Sequence, residues 1–318
     1  MSKSLVSPNT VQNEEQIQQF SDFKSFLGAR KQLIEDYLNK ILACREASPR
    51  LWEAMHYSSL NGGKRLRGIL CLTAYEAICQ SNNKLVDLAK VLPIAAGIEC
   101  IHAMSLVHDD LPCMDNDDLR RGKPTCHKAY DEATALLAGD ALLVEGIHLC
   151  LKADLPAEIS KKITSVILEA VGALGMTGGQ MVDLENTNKD NVSLAELEEM
   201  HKLKTGAFLS ASVLVGGLAA EADEKEIQAL TIYAESLGLA FQIVDDLLDL
   251  ESDSTTLGKT AGKDEAQNKT TYPKLLGLAE SRLKAENLIV IAKTALEEAK
   301  ISNPFLYQIA DYVLERKY

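Results

Sequence analysis

Apolar positions recur at helical spacing along nearly the whole chain: Phe23, Phe26 and Leu27; Leu33, Tyr37, Leu38 and Ile41; Val91, Ile94, Ile98 and Ile101; Leu136, Leu137, Leu143 and Ile147. No stretch shows the two-residue alternation of a half-buried strand. Breakers at Asn61-Gly62-Gly63, Gly122-Lys123-Pro124, Leu155-Pro156, Gly178-Gly179, Gly258, Gly262 and Asn303-Pro304 divide the pattern into roughly ten helices of ordinary length. Segment 205–220 carries no charge and 231–250 is rich in Leu and Ile, so both must be buried on most sides. The predicted architecture is all-α: one large helical bundle, with central helices ringed by others. No Ser/Gly/Pro linker divides it, which gives a polar, disordered tail over 1–20 and a single domain over 21–318.

Composition agrees with this reading. Of 318 residues, 46% are hydrophobic and only 5% aromatic, proportions of a globular chain that favours helix over sheet. The net charge of −13 argues against nucleic acid as a partner, since a nucleic-acid face must replace phosphate counterions with its own cations. The N-terminal MSKSLVSPNTVQNEEQ lacks an apolar run and reads as neither signal nor transit peptide. The uncharged 205–220 segment falls short of the roughly 20 residues a bilayer demands, so no membrane span is expected. The seven cysteines are odd in number and include no C-x-x-C pair, which fits a reduced, cytoplasmic compartment.

Two acidic clusters change the picture from fold to chemistry. The first, His108-Asp109-Asp110-Leu111-Pro112-Cys113-Met114-Asp115-Asn116-Asp117-Asp118, follows directly on an apolar helix. Asp109 and Asp115 would point about 120° apart on an ideal helix, but Pro112 forces the chain to kink or leave the helix and can bring Asp115 back. The second cluster, Asp245-Asp246-Leu247-Leu248-Asp249, lies inside FQIVDDLLDL, with Asp245 and Asp249 one turn apart on one face and Gln242 just before them. A solvated acidic loop accounts for an isolated run of acids; it does not account for a second set within an apolar helix, where unpaired carboxylates are costly. Two clusters facing each other across a bundle make a hard, oxygen-rich site suited to Mg²⁺. Basic residues beside glycines recur at Gly62-Gly63-Lys64-Arg65-Leu66-Arg67, Arg120-Arg121-Gly122-Lys123, His201 to Gly206, Leu257-Gly258-Lys259 and Lys263 to Lys269. Each alone is an ordinary surface charge. With the acids they point to two diphosphates, one held through metal and one by Arg and Lys directly.

The segments GGKRLR, IECIHAMSLVHDDLPCMDNDDLRRGKPT, LAGDALL, GGQMVDLE, HKLKTGA, YAESLGLAFQIVDDLLDL, LGKTAGKD and KTTYPKLLGL, in this order, resemble the short-chain all-trans isoprenyl diphosphate synthases, bacterial farnesyl and bacterial or plant geranylgeranyl synthases in particular. The resemblance runs from about residue 30 to the C-terminus. It implies an isoprenoid-synthase bundle around a deep central cavity, a homodimer, and elongation of an allylic diphosphate by isopentenyl diphosphate. It also implies Mg²⁺, several ions, with Mn²⁺ able to substitute. Carried over by position, Asp109, Asp115, Asp245 and Asp249 match the metal sites. Arg120, Lys204 and Lys259 match holders of the allylic diphosphate, Lys64, Arg67, His102 and Arg121 the isopentenyl diphosphate site, and Lys269 a closing basic group. Thr205, Gln242 and the carbonyl of Lys204 match the lining of the reacting carbons.

In this family the residue five before the first Asp helps to floor the product tunnel. Here it is Met104, about 7.5 Å along the helix from Asp109, as in geranylgeranyl synthases of the two-residue-insert type, while the KTGA and YAESLGLAFQ segments are closer to bacterial farnesyl synthases. Both a C15 and a C20 product remain open on these residues. A class I terpene cyclase would carry a different second motif and lack GGKRLR. A phosphohydrolase built on His108-Asp109 would need further metal-binding histidines. A silent partner subunit would have lost one of the two aspartate motifs.

Overall fold

The computed structural model describes residues 20–43, 47–187, 189, 191–251 and 270–316. Fourteen α-helices run through them. The first seven are α1 (Phe23–Ile41), α2 (Pro49–Leu60), α3 (Leu66–Ser81), α4 (Leu88–Asp109), the single turn α5 (Cys126–Ala129), α6 (Glu132–Leu151) and α7 (Ala157–Val171). There follow α8 (Met176–Asn186), α9 (Leu194–His201), α10 (Ala207–Ala219), α11 (Glu224–Glu251), the short α12 (Tyr272–Leu276), α13 (Leu278–Glu298) and α14 (Pro304–Glu315). A π-helical turn, Lys202–Gly206, joins α9 to α10. The strand content among the described residues is a hairpin of two residues a side, β1 (Leu119–Arg120) antiparallel to β2 (Lys123–Pro124), turning at the Gly122 breaker.

Local chemistry sets the helix starts. At α1 the Asp22 carboxylate accepts the Ser25 N–H at 2.7 Å and Ser25 Oγ accepts the Asp22 N–H at 3.2 Å, a reciprocal cap. The Asn303-Pro304 breaker is likewise a start: Asn303 Oδ1 accepts from the Phe305 and Leu306 N–H groups, and Pro304 occupies the first helical position, where no donor is missed. The Gly178-Gly179 breaker is not one. Both glycines lie inside α8, because the helix must come close to the backbone of the π turn, where a side chain at 179 would overlap the Lys204 N–H. The count of helices exceeds the predicted ten, since single-turn elements such as α5 and α12 are too short to show a period.

Helices α3 and α10, apolar on nearly every side, pack against each other in the interior; α4 runs along α6 and α11 along α13. The uncharged 205–220 segment is thus buried, as its composition predicts, but its first two residues belong to the π turn and the helix proper begins at Ala207. Several charges taken inside are paired: Arg65 meets Glu35 at 3.0 Å and Glu99 at 3.8 Å, and Arg30 meets Glu76. Burial pushes the Glu76 carboxyl up to about 7 against the pull of Arg30.

Four stretches, Leu88–Asp109, Glu132–Leu151, Ala157–Asn186 and Glu224–Leu250, are long and apolar enough by length and composition to cross a bilayer. The first and last are 72% and 56% buried within the bundle, whereas Glu132–Leu151 and Ala157–Asn186 are 39% and 28% buried. The uncovered surface of α6 includes Leu137, Val144 and Leu151, one residue every two turns along a single stripe.

Candidate active site

Helix α4 ends at Asp109. The chain then turns back on itself, so that the Asp115 N–H donates to the Asp109 carbonyl at 2.8 Å and the Asp117 N–H to the Asp110 carbonyl at 3.2 Å. Helices cannot readily continue into the residue before a proline, and Leu111-Pro112 is where this one has already left its path. Asp109 takes a hydrogen bond from the Gln180 amide on α8. Burial raises the Asp109 carboxyl; Lys204 pulls it down and Asp115 pushes it further up. Its neighbour Asp110 is buried and receives Arg120 Nε on both oxygens, at 2.8 and 2.9 Å. Burial raises Asp110 as well, with the Arg120 bond opposing.

Lys204 and Thr205 project from the π turn, an irregularity that recurs at functional sites because it re-aims the residues it carries. Lys204 Nζ bonds Asp183 Oδ2 on α8 at 2.6 Å. Burial alone would lower this ammonium, but Asp109 and Asp183 outweigh it and hold the pKa above the usual lysine range. The lysine therefore stays charged between the first acidic cluster and α8. Gln180 and Asp183 both come from GGQMVDLE, a segment that resemblance flags without assigning roles. Their spacing of three puts both on one face of α8, but no local pattern says that this face meets Asp109 and Lys204.

The second cluster stands in the C-terminal part of α11. Asp245, about half exposed, pairs with Arg316 Nη2 at 2.7 Å. Arg316 is buried against the Phe241 ring, 3.7 Å from its centroid, and donates to the Phe241 carbonyl at 2.6 Å. Asp246 is buried and accepts the Tyr272 N–H at 2.8 Å. Asp249 lies one turn beyond Asp245 on the same helix. Gln242, one turn before Asp246, has its amide nitrogen 3.0 Å from His201 Nδ1.

Between the clusters lies a crowd of guanidinium groups. Burial holds His102 well below the usual histidine range, and Arg67, Arg121, Arg120 and Arg65 push it further in that direction, so it is neutral. Arg121 donates to the Gly62 carbonyl at 2.6 Å, and its guanidinium lies against Gly63, whose φ of +105° favours glycine there. Arg67 Nε is buried and makes no hydrogen bond among the described residues. Arg67 senses Glu99 on one side and Asp245 on the other, and Lys64 senses Arg316 and Asp245, so the basic group and the second acidic cluster share one field. Arg65 and Arg120 have carboxylate partners, but Arg67 and Arg121 form no ion pair among the described residues, and two such arginines beside a neutral histidine make a place for an anion. A cleft beside it is lined by Asn61, Val107, Asp110, Arg120, Arg121 and Cys126.

Met104 is buried in the core on α4. Lys259 and Lys269 lie outside the described residues. Among the described residues no three Asp, Glu, His or Cys side chains converge on one point. Mg²⁺ commonly takes one or two carboxylates and completes its shell with water and substrate phosphate. Asp109 and Asp115 suit that habit: their hard oxygens are brought together by the backbone, and at Asp109 burial and the neighbouring Asp115 already disfavour the ionised form.

An all-α bundle with two acidic clusters and buried arginines is the architecture of an enzyme acting on diphosphates. Residues 48–306 match the family described as Polyprenyl synthetase, and the chain belongs to that family; it is a prenyltransferase of the short-chain synthase type. It is 42% identical over 294 residues to a geranylgeranyl diphosphate synthase of Cyanophora paradoxa, covering 92% of this chain and 96% of that one. It is 41% identical over 296 residues to a farnesyl diphosphate synthase of Geobacillus stearothermophilus, covering 92% and 97%. Among solved structures, the geranyltransferase of Helicobacter pylori complexed with magnesium and isoprenyl diphosphate superposes with a TM-score of 0.78 at 32% identity, covering 98% of each chain.

Proposed function

We propose that the chain joins isopentenyl diphosphate head to tail to an allylic diphosphate, dimethylallyl or geranyl and, for the longer product, farnesyl, releasing farnesyl (C15) or geranylgeranyl (C20) diphosphate. The observation that carries this reading is the set of basic side chains around the first acidic cluster: Arg120 bonded to Asp110, Lys204 bonded to Asp183 beside the α8 residue that holds Asp109, and Arg121 and the orphaned Arg67 Nε as a second basic group, which supplies places for two diphosphates.

Asp109 and Asp115, with Asp245 and Asp249, would hold Mg²⁺, which supplies Lewis-acid stabilisation of the leaving diphosphate. Lys204 and Arg120 meet the allylic diphosphate; Arg120 must then divide its donors between Asp110 and the ligand. Lys64, Arg67, Arg121 and His102 hold isopentenyl diphosphate, the orphaned Nε of Arg67 finding its acceptor there. The C1–O bond of the allylic substrate breaks and the diphosphate leaves. C4 of isopentenyl diphosphate bonds to C1, and a C2 proton is lost to the departed diphosphate. Thr205, Gln242 and the Lys204 carbonyl present oxygen to the developing carbocation, and fixed dipoles of this kind cost no reorganisation when charge appears. The apolar helix walls keep out water that would quench the cation. No protein nucleophile is needed.

The exposed apolar stripe of α6 is read as the face of a homodimer, since a second copy of the chain would cover Leu137, Val144 and Leu151. The six described cysteines are all free, which supports a reduced, cytoplasmic setting. The test is chromatographic chain-length analysis after incubation with Mg²⁺, isopentenyl diphosphate and dimethylallyl diphosphate. A C15 or C20 diphosphate is expected; a folded protein that elongates nothing would return the silent-subunit or cyclase reading.

A further inference from the structure

His201 ends α9 and immediately precedes the π turn that carries Lys204 and Thr205. Three elements fix its ring. It is buried, 7% exposed; it stacks on Tyr272 of α12, with centroids 5.6 Å apart and planes 14° from parallel; and its Nδ1 meets the Gln242 amide nitrogen of α11 at 3.0 Å. Tyr272, wholly buried, is itself tied to α11 through the bond from its N–H to Asp246. The ring therefore cannot turn without disturbing the stack, and the Gln242 amide is held by a group that is itself held.

The direction of that hydrogen bond decides what Gln242 offers the substrate. As the amide stands, its nitrogen faces Nδ1 and can only donate, so this arrangement calls for Nδ1 to accept and for the proton to sit on Nε2. The amide oxygen and nitrogen lie on opposite sides of the group, so spending the nitrogen on His201 leaves Oε1 turned away from the ring. With the opposite tautomer, Nδ1–H would draw Oε1 to the ring and leave an N–H, a dipole of the wrong sign for a carbocation.

We propose that His201 is a positioning residue for the condensation: its Nδ1 fixes the Gln242 amide so that the oxygen, not the N–H, faces the developing positive charge. This rests on the prenyl-transfer reading above. Because the dipole is needed only when charge develops, its loss falls on kcat and leaves substrate binding nearly alone.

Two variants separate the ring from its nitrogen. His201→Phe keeps a planar ring against Tyr272 and removes the acceptor; His201→Asn places an amide oxygen near the position of Nδ1. In steady-state assays of the full chain with both diphosphates, His201→Phe is expected to lower kcat about tenfold, the scale of one well-placed hydrogen bond, with little change in either KM. His201→Asn is expected to recover most of the loss. In a double-mutant cycle with Gln242→Ala, the second substitution adds little to the first, because both remove the same dipole. Unchanged kcat in His201→Phe, equal loss in both His201 variants, a rise in KM alone, or additivity with Gln242→Ala would each overturn the proposal. ¹⁵N spectra of histidine-labelled wild-type protein give a readout that needs no variant to fold: an Nε2–H tautomer at His201 is expected, and an Nδ1–H tautomer rejects the proposal. Wild-type protein that elongates nothing would instead defeat the reading on which this one rests.

Discussion

The two acidic clusters hold similar residues in opposite settings. The first lies where a helix ends and the chain folds back, and its carboxylates are crowded: burial and the neighbouring Asp115 raise Asp109, with Lys204 and Gln180 as its nearest relief. The second lies within a long helix, and its exposed member Asp245 already has a full cation, Arg316, at 2.7 Å. A cation bound at the first cluster would relieve the charge that burial and Asp115 crowd onto Asp109; at the second, Asp245 is already shared with Arg316, which is buried against Phe241.

The largest effects would come from deleting either cluster. Asp109→Ala and Asp245→Ala should each lower kcat by about a thousandfold or more while leaving far-ultraviolet dichroism unchanged; steady-state elongation assays check this. Near-normal turnover in Asp245→Ala alone would break the comparison, because only the first cluster would then serve the reaction. A smaller effect is expected from Asp183→Asn, which keeps the shape but removes the charge that aims Lys204. It should raise KM for the allylic diphosphate about tenfold, as loss of a charge-assisted bond does, and leave KM for isopentenyl diphosphate nearly unchanged. Met104→Tyr should shift the product to a shorter chain without a comparable loss of rate, because a rigid ring replaces a flexible thioether. An unchanged product distribution would place the tunnel floor elsewhere.

The contrast also explains what was legible in the sequence. Helix periods, buried segments and the recoil of the chain after Asp109 follow from local spacing and from Pro112, so the first cluster could be drawn from the residues alone. Gln180, which bonds Asp109, and Asp183, which bonds Lys204, could not: they sit on α8, about 70 residues on, and the glycine pair of which Gly179 lets α8 approach the π turn reads as a helix break. The second cluster is further from sequence logic. Arg316 and Tyr272 reach it only because α12 and α14 fold back on α11, and no local pattern announces that. The π turn was equally hidden, since it joins two helices and the shift of about 100° that one extra residue introduces is indistinguishable from the change of face between them.

The smallest effect is the one that distinguishes a crowded carboxylate from a paired one. Asp109 has its folded-state pKa raised, so the folded, metal-free protein binds this proton more tightly than the unfolded chain does. Its contribution to stability is therefore complete below the ordinary carboxylate range and is lost as pH rises through the folded value. Asp109→Asn, which cannot ionise, should unfold at a higher urea concentration than wild type at about pH 8 and differ little at about pH 4, in chelator-treated protein. Other raised carboxyls, Asp110 and Glu76 among them, titrate in both proteins and cancel in the difference. Mg²⁺ with inorganic pyrophosphate should then raise the wild-type midpoint by mass action and leave that of Asp109→Asn nearly unmoved. Asp245→Asn should keep part of the response, because the second cluster's charge is already answered by Arg316 and less depends on the ion. Equal loss of the response in both variants would mean that the clusters act as one site, and that the difference in their surroundings has no bearing on how the metal is held.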